Sequence, residues 1–131
     1  MRYLSLIVTL AAAFWVSSLS AEPINPRSIY VIDGDTIDIS GERFRLVGFD
    51  TPETYRPQCA SEKALGDQAT ALLKQLINSL SVTELVVQPG RDRYGRGLAR
   101  LFVGGTDVGS ILVNEGLARP YNGGRRAGWC G

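Results

Sequence analysis

Four short stretches of this 131-residue chain set acids beside arginines: Asp33-Gly34-Asp35-Thr36, Phe44-Arg45-Leu46, Asp50-Thr51-Pro52-Glu53 and Asp92-Arg93-Tyr94-Gly95-Arg96-Gly97. Carboxylates near a tight turn present hard oxygen to a cation such as Ca²⁺, and guanidinium forks fit phosphate oxygens two at a time. Together these groups are the minimal equipment for metal-assisted cleavage of a phosphodiester. The chain contains no histidine. That excludes a Ser-His-Asp or Cys-His nucleophile, a histidine general base and any histidine-bearing zinc site, so acid–base work falls to carboxylates, with Lys and Tyr behind them. Each stretch alone also has a plain structural reading. Asp and Gly are ordinary turn formers, Asp50 to Glu53 reads as a proline turn with solvated acids, and Asp92 to Arg96 as a charged hairpin tip. An EF-hand is ruled out because the twelfth position from Asp33 is Phe44, not glutamate.

These groups need elements to hold them, and from Ile29 the pattern is β. Tyr30-Val31-Ile32 runs into the Asp33-Gly34-Asp35 turn or bulge, and Thr36 to Ile39 alternates before a Ser40-Gly41 turn. The next strand carries Phe44, Leu46 and Gly48 on one face and Arg43, Arg45 and Val47 on the other, which aims Arg45. Pro52 and Pro57 make a loop that bears Thr51, Glu53 and Cys59. Beyond it Leu65, Ala69, Leu72, Leu73, Leu76, Ile77 and Leu80 recur at helical spacing, which predicts an amphipathic helix from about Ser61 to Leu80 with its stripe in the core. Gly66 has no evident reason to stand inside it, since glycine weakens a helix by about 1 kcal/mol relative to alanine. Strands are expected over Glu84–Gln88 and Tyr94–Val103, with a turn at 89–93 and a Gly104-Gly105 hairpin. Asp107 would cap a short helix from Val108 to Glu115 that Gly116 ends. Short strands before and after a long helix, with a second, short helix following, predict an α+β fold: a five-stranded, partly open barrel of the OB type.

Length and composition bound the chain to one small domain, residues 22–131, behind a leader. Met1-Arg2, the apolar run Tyr3–Val16 and the small residues Ser17–Ala21 form a signal-peptide pattern over 1–21, with an uncleaved N-terminal anchor as the alternative. Residues 22–84 hold 10 acids and 6 bases while 85–131 hold 3 acids and 7 bases, a split that suits a metal-binding part facing a phosphate-binding part. The bases are 12 Arg and 2 Lys, a bias toward the bidentate fork. Cys59 and Cys130 are the two cysteines, and export would make an even count a disulfide; two free thiols are the alternative.

The order, spacing and residue types of these segments resemble the staphylococcal nuclease (thermonuclease) family of OB-fold phosphodiesterases from Ile29 to about Ala118. The stretches that carry the resemblance are Ile32–Thr36, Phe44–Leu46, Asp50–Thr54, Asp92–Ala99 and Val113-Asn114-Glu115-Gly116-Leu117-Ala118. The resemblance implies that Asp35, Asp50 and the Thr51 carbonyl ligate one Ca²⁺ and that Glu53 positions or deprotonates the attacking water. It also implies that Arg45 and Arg96 clamp the phosphoryl oxygens, that Asp33 supports the metal loop, and that Arg93 and Tyr94 touch a neighbouring phosphate. Tyr121 would either stack on a base or pack on the barrel. The hairpin from Asp35 to Arg45 is shorter than in the type member of the family. The sequence ends at Gly131 where that type member continues into a helix, and a Cys59–Cys130 disulfide is expected to tie the loop after Glu53 to the glycine-rich segment 123–130.

The function implied is an exported, monomeric, Ca²⁺-dependent nuclease that hydrolyses DNA and RNA with little sequence preference and leaves 3′-phosphate ends. Two rival readings use the same residues. A catalytically silent OB module would bind single-stranded nucleic acid or a protein partner, but it would have no use for a complete set of acids and arginines. A secreted Ca²⁺-binding structural domain would leave the paired arginines without a purpose.

Overall fold

A computed structural model describes residues 12–13 and 20–131. The expected leader, residues 1–21, lies almost wholly outside them. Among the described residues, no helix is long and apolar enough to cross a membrane.

Strands β1 (Glu22–Pro23), β2 (Ile29–Asp33), β3 (Thr36–Ile39) and β4 (Glu42–Leu46) come first, followed by the three-residue β5 (Gly48–Asp50). Helix α1 (Ala60–Ile77) separates them from β6 (Thr83–Arg91), β7 (Gly97–Val103) and β8 (Thr106–Asp107). Helix α2 (Val108–Asn114) and β9 (Arg119–Tyr121) complete the order. The main sheet runs β1-β6-β7-β4-β3-β2 with β8 beside β7, while β5 and β9 pair separately. Its five longer strands and two helices meet the α+β, OB-type expectation, and the sheet is not closed. One neighbour pair is parallel: Phe44, Arg45 and Leu46 of β4 lie against Gly97, Leu98 and Ala99 of β7.

The strands form because alternate residues have an apolar side to bury. Gly97, Ala99, Leu101 and Val103 of β7 point inward while the residues between them stay partly exposed. They meet Ile37, Phe44 and Leu46 of the sheet and Leu73, Ile77 and Leu112 of the helices in one core. Each such large apolar side chain, fully buried, contributes about 1.5–3 kcal/mol.

Several boundaries differ from the sequence expectation. Helix α1 starts one residue earlier, where Cys59 caps it by accepting from the Glu62 amide, and stops at Ile77 instead of Leu80. Leu80 is exposed, so it lies off the apolar stripe. The expected strand through Gly48 breaks at Val47, and Gly48 opens β5, paired with Tyr121. Gly48 therefore does not share a ladder face with Phe44 and Leu46. Strand β6 continues through Pro89-Gly90 to Arg91 by a register shift after Gln88, so the expected turn at 89–93 moves to 92–96 and β7 begins at Gly97 instead of Tyr94. Asp107 caps α2 through the Gly109 amide, and that helix ends at Asn114.

Candidate active site

Four local structures converge on one cleft of about 1330 Å³. The first is the turn between β2 and β3. Asp33 Oδ1 accepts from the Asp35 amide at 3.1 Å, which folds the turn and faces the Asp35 carboxylate inward. Gly34 is required for packing: a Cβ there would lie 2.8 Å from Thr51 Cγ2 and 2.9 Å from Ala69 Cβ. The turn is thus clamped between the 51–59 loop and helix α1.

The second structure is that loop. The Thr51 amide donates to Asp35 Oδ2 at 3.3 Å, which joins the two acid-bearing segments. Helix α1 presses on the loop at Gly66, where a Cβ would meet the Pro52 carbonyl at 2.7 Å and the Glu53 carbonyl at 3.1 Å. This answers what the sequence left open. The weak helix residue is the contact face that holds the Glu53 backbone.

Arg45 comes from β4 and is almost wholly buried. Its Nη1 donates to the Leu46 carbonyl at 2.6 Å and pairs with Asp35 Oδ2 at 3.1 Å, and its Nη2 donates to the Phe49 carbonyl at 2.9 Å and pairs with Asp50 Oδ1 at 3.6 Å. One guanidinium therefore holds both inner acids. Arg96 comes from the turn before β7, and Asp92 builds that turn. Asp92 Oδ1 accepts from the Tyr94 and Arg96 amides, each at 2.9 Å, and Oδ2 accepts from Arg96 Nε at 2.6 Å. Burial pushes the Asp92 carboxyl up, but these hydrogen bonds outweigh it and leave its pKa below the usual value. Arg96 Nη1 then reaches Thr36 Oγ1 at 3.4 Å, and the same hydroxyl donates to Asp35 Oδ1 at 3.1 Å. Thr36 thereby couples the acid turn to Arg96.

The remaining site candidates are also placed. Arg93 and Tyr94 line the cleft together, with the guanidinium 4.8 Å from the ring centroid and its Nη2 donating to the phenol oxygen at 2.6 Å. Tyr121 lies on β9, half-buried in the cleft wall, and donates from its hydroxyl to the Gly124 carbonyl at 2.7 Å. Asp33 and Glu53 line the cleft, whereas Asp35, Asp50 and Thr51 are buried behind it. The sequence reading missed Arg126. Its Nη1 lies 3.6 Å from both Asp50 Oδ1 and Glu53 Oε1, and its guanidinium stands over Tyr121 at 5.3 Å. The visible signal was the single pair of adjacent arginines, Arg125-Arg126, inside the glycine-rich stretch.

The expected Cys59–Cys130 disulfide is present and no cysteine is free. Near it Arg119 donates to the Gly128 carbonyl at 2.7 Å, and its guanidinium covers the Trp129 ring at 3.8 Å.

Four acids crowd this site. Burial and the Asp35 charge push Asp33 up to about 7. Burial also raises Asp50, against the opposing charges of Arg126 and Arg45, and raises Glu53 with help from the charges of Asp35 and Asp50. Asp50 Oδ1 is buried with no hydrogen-bond partner, since both arginines stand too far off to donate to it. A crowded set of hard oxygens with an orphaned buried acceptor fits a hard divalent cation, and Asp35, Asp50 and the Thr51 carbonyl are the donors that could hold one. Among the described residues, no group of three or more His, Cys or acidic side chains is arranged as a metal centre.

Residues 43–127 match the family described as staphylococcal nuclease homologue. The chain is 39% identical to a thermonuclease of Staphylococcus intermedius over 93 residues, 68% of this chain and 55% of that protein. It is 40% identical to endonuclease YncB of Bacillus subtilis over 94 residues, 67% of this chain and 44% of that protein. An uncharacterised protein of Bacillus anthracis is 31% identical over 115 residues, 84% of this chain and 53% of that protein. The chain spans about half the length of the curated relatives it matches. By the extent of these matches, the chain belongs to the staphylococcal nuclease homologue family.

Proposed function

We propose that this chain is an exported, Ca²⁺-dependent nuclease that hydrolyses phosphodiester bonds of DNA and RNA with little sequence preference and leaves 3′-phosphate ends. The observation that carries the proposal is the link through Thr36, whose hydroxyl joins Asp35 to Arg96 and so registers a cation-binding acid against a phosphate-binding fork. The names of the relatives support the reaction class, and the leader pattern over 1–21 together with the disulfide supports export.

In this mechanism Arg45 and Arg96 oppose the negative charge that gathers on the equatorial oxygens as water attacks phosphorus. Their positions are fixed in advance by carbonyls on one side and by Asp92 on the other, so little reorganisation is needed. Glu53 receives or orients the water proton at its carboxylate. Burial raises its pKa, which makes it a stronger base than a solvated glutamate. Asp35, Asp50 and the Thr51 carbonyl would hold Ca²⁺, whose contribution when bound is Lewis-acid polarisation of the phosphoryl oxygen. Arg93 and Tyr94, farther out along the cleft, take an adjoining phosphate. Arginines and a metal read the backbone instead of base edges, which accounts for the sequence tolerance.

The test is incubation of the purified protein with denatured DNA and with RNA, in Ca²⁺ and in chelator, with end-group analysis of the products. Cleavage in Ca²⁺ that chelator abolishes is the expected result. Undiminished cleavage in chelator would remove the metal role, and tight binding without cleavage would make the chain a binding module.

A further inference from the structure

We infer that Arg126 is a further phosphate-binding guanidinium of this site, held in the cleft by the disulfide-latched segment 122–131. The inference rests on the nuclease reading for its substrate and on the following geometry for its residue. Arg45 and Arg96 have donors committed to protein acceptors, the Leu46 and Phe49 carbonyls for one and Asp92 for the other. Arg126 is different. It stands 3.6 Å from Asp50 and from Glu53, close enough for attraction and too far for a hydrogen bond, and its side chain is 44% exposed against 8% for Arg45. A cation attracted to the acids yet donating to neither carboxylate keeps N–H groups available to a phosphate oxygen. The Tyr121 ring beneath it limits where the fork can turn.

Segment 122–131 contains no helix or strand, so its position depends on a few ties. Tyr121 binds the Gly124 carbonyl, Arg119 binds the Gly128 carbonyl and stacks on Trp129, and Cys130 is bonded to Cys59. Cys59 is the N-cap of α1, the helix that presses on the Glu53 loop through Gly66. The covalent tie therefore references Arg126 to the same body that positions Glu53. Opening the bond leaves a glycine-rich segment with two hydrogen bonds, two guanidinium–ring contacts and the two Arg126 ion pairs to hold a fork over the acids.

The experiment compares wild type, Arg126→Ala, Arg126→Lys and the Cys59→Ser/Cys130→Ser double variant on one single-stranded oligonucleotide in Ca²⁺ across a NaCl series. The loss of one charge-assisted contact should raise KM about 10-fold in Arg126→Ala with kcat little changed. The slope of log(kcat/KM) against log[salt] should become shallower by about 0.7, the increment for one phosphate contact on a single strand. Arg126→Lys should recover the salt slope and part of KM, because it keeps the charge and loses the fork. The double serine variant, and wild type in reductant with its far-UV spectrum intact, should follow Arg126→Ala in both KM and slope. Anisotropy titration of the same oligonucleotide in chelator reads the contact without turnover. A wild type that binds and does not cleave would refute the nuclease reading, while the anisotropy slope of Arg126→Ala would still decide the contact. Unchanged KM and salt slope in Arg126→Ala would overturn the inference, as would a loss confined to kcat. A double serine variant with wild-type KM would overturn the latch.

Discussion

Arg45 and Arg96 carry the same charge toward the cleft, but they are built into the protein differently, and substitution should separate them. Arg45 pairs with the buried acids Asp35 and Asp50, so Arg45→Ala leaves Asp35 without its ion pair and Asp50 with Arg126 alone. Breaking such a buried pair costs about 3–5 kcal/mol, and added Ca²⁺ should return part of the loss because it replaces the missing charge. Thermal melts in chelator and in Ca²⁺ check this. Arg96→Ala should lose orders of magnitude in turnover with a smaller stability change, since Arg96 is partly exposed and serves the cleft. Glu53→Gln should lower turnover by about 10²- to 10⁴-fold, the usual range for a positioned acid–base group, and keep the fold. Arg93→Ala should mainly raise KM; a kcat loss equal to that of Arg96→Ala would put Arg93 at the reacting phosphate instead. Proton linkage gives a further expectation. Asp33 titrates near 3.8 unfolded and is pushed up to about 7 when folded, so between these values the folded protein holds a proton that the unfolded chain has released. Its contribution to stability is therefore largest below about pH 4 and falls as pH rises toward 7, and the raised Asp50 and Glu53 act in the same direction. Metal-free protein should lose melting temperature across that window, and the increment from Ca²⁺ should grow with pH as Asp50, the proposed ligand with a raised pKa, deprotonates. These acids and arginines were legible in the sequence because each belongs to a short segment whose neighbours orient it. The role of Thr36 was not, since a hydroxyl shared between Asp35 and Arg96 depends on the distance between two hairpins.

At the scale of elements, the site depends on how closely helix α1 lies on the loop after β5. Gly66→Ala sets two known magnitudes against each other. Alanine improves helix propensity by about 1 kcal/mol, whereas forcing a methyl into a packed contact costs about 1–3 kcal/mol. Backbone carbonyls of Pro52 and Glu53 line this contact and cannot rotate aside as a flexible side chain would, so overpacking should win. The variant should melt lower than wild type and turn over more slowly, because the displaced backbone carries Glu53. A higher melting temperature would mean that the loop yields. The helix itself was readable from its apolar stripe, but its meeting with the loop was not: periodicity says which face is buried and leaves the partner unnamed. The turn at 92–96 teaches the converse. Pro89-Gly90 is an ordinary breaker signal, yet the ladder with β7 carries β6 past it through a register shift, and the chain reverses where Asp92 can bind three N–H groups of the segment it closes. Asp92→Ala should therefore release Arg96 and reduce turnover nearly as much as loss of Arg96 itself, while Asp92→Asn should retain part of the activity.

For the molecule as a whole, the disulfide joins residues 71 apart in sequence. Closing a loop of that size stabilises the fold by about 4 kcal/mol in the chain-entropy model. Reductant should lower the melting temperature accordingly, and an unchanged melt would show that segment 122–131 holds its place without the bond. The α+β class and the open sheet were legible from the order and length of the apolar segments. Arg126 was not, because its part in the site comes from where the bond carries it, and no spacing in the chain records that. The parallel pairing of β4 with β7 has a consequence in time. Phe44–Leu46 and Gly97–Ala99 lie on opposite sides of helix α1 in sequence, so their ladder forms only after a long loop has closed. Arg45 stands in that ladder, and Arg96 immediately precedes it. The helix can gather its turns early from local contacts, but the two arginines come into register only with this distant closure. In refolding from denaturant, recovery of cleavage should follow the final cooperative phase and have no share in any earlier rise of helical signal. On the proposed function, a nascent chain would remain harmless to nucleic acid until β7 has been made and docked.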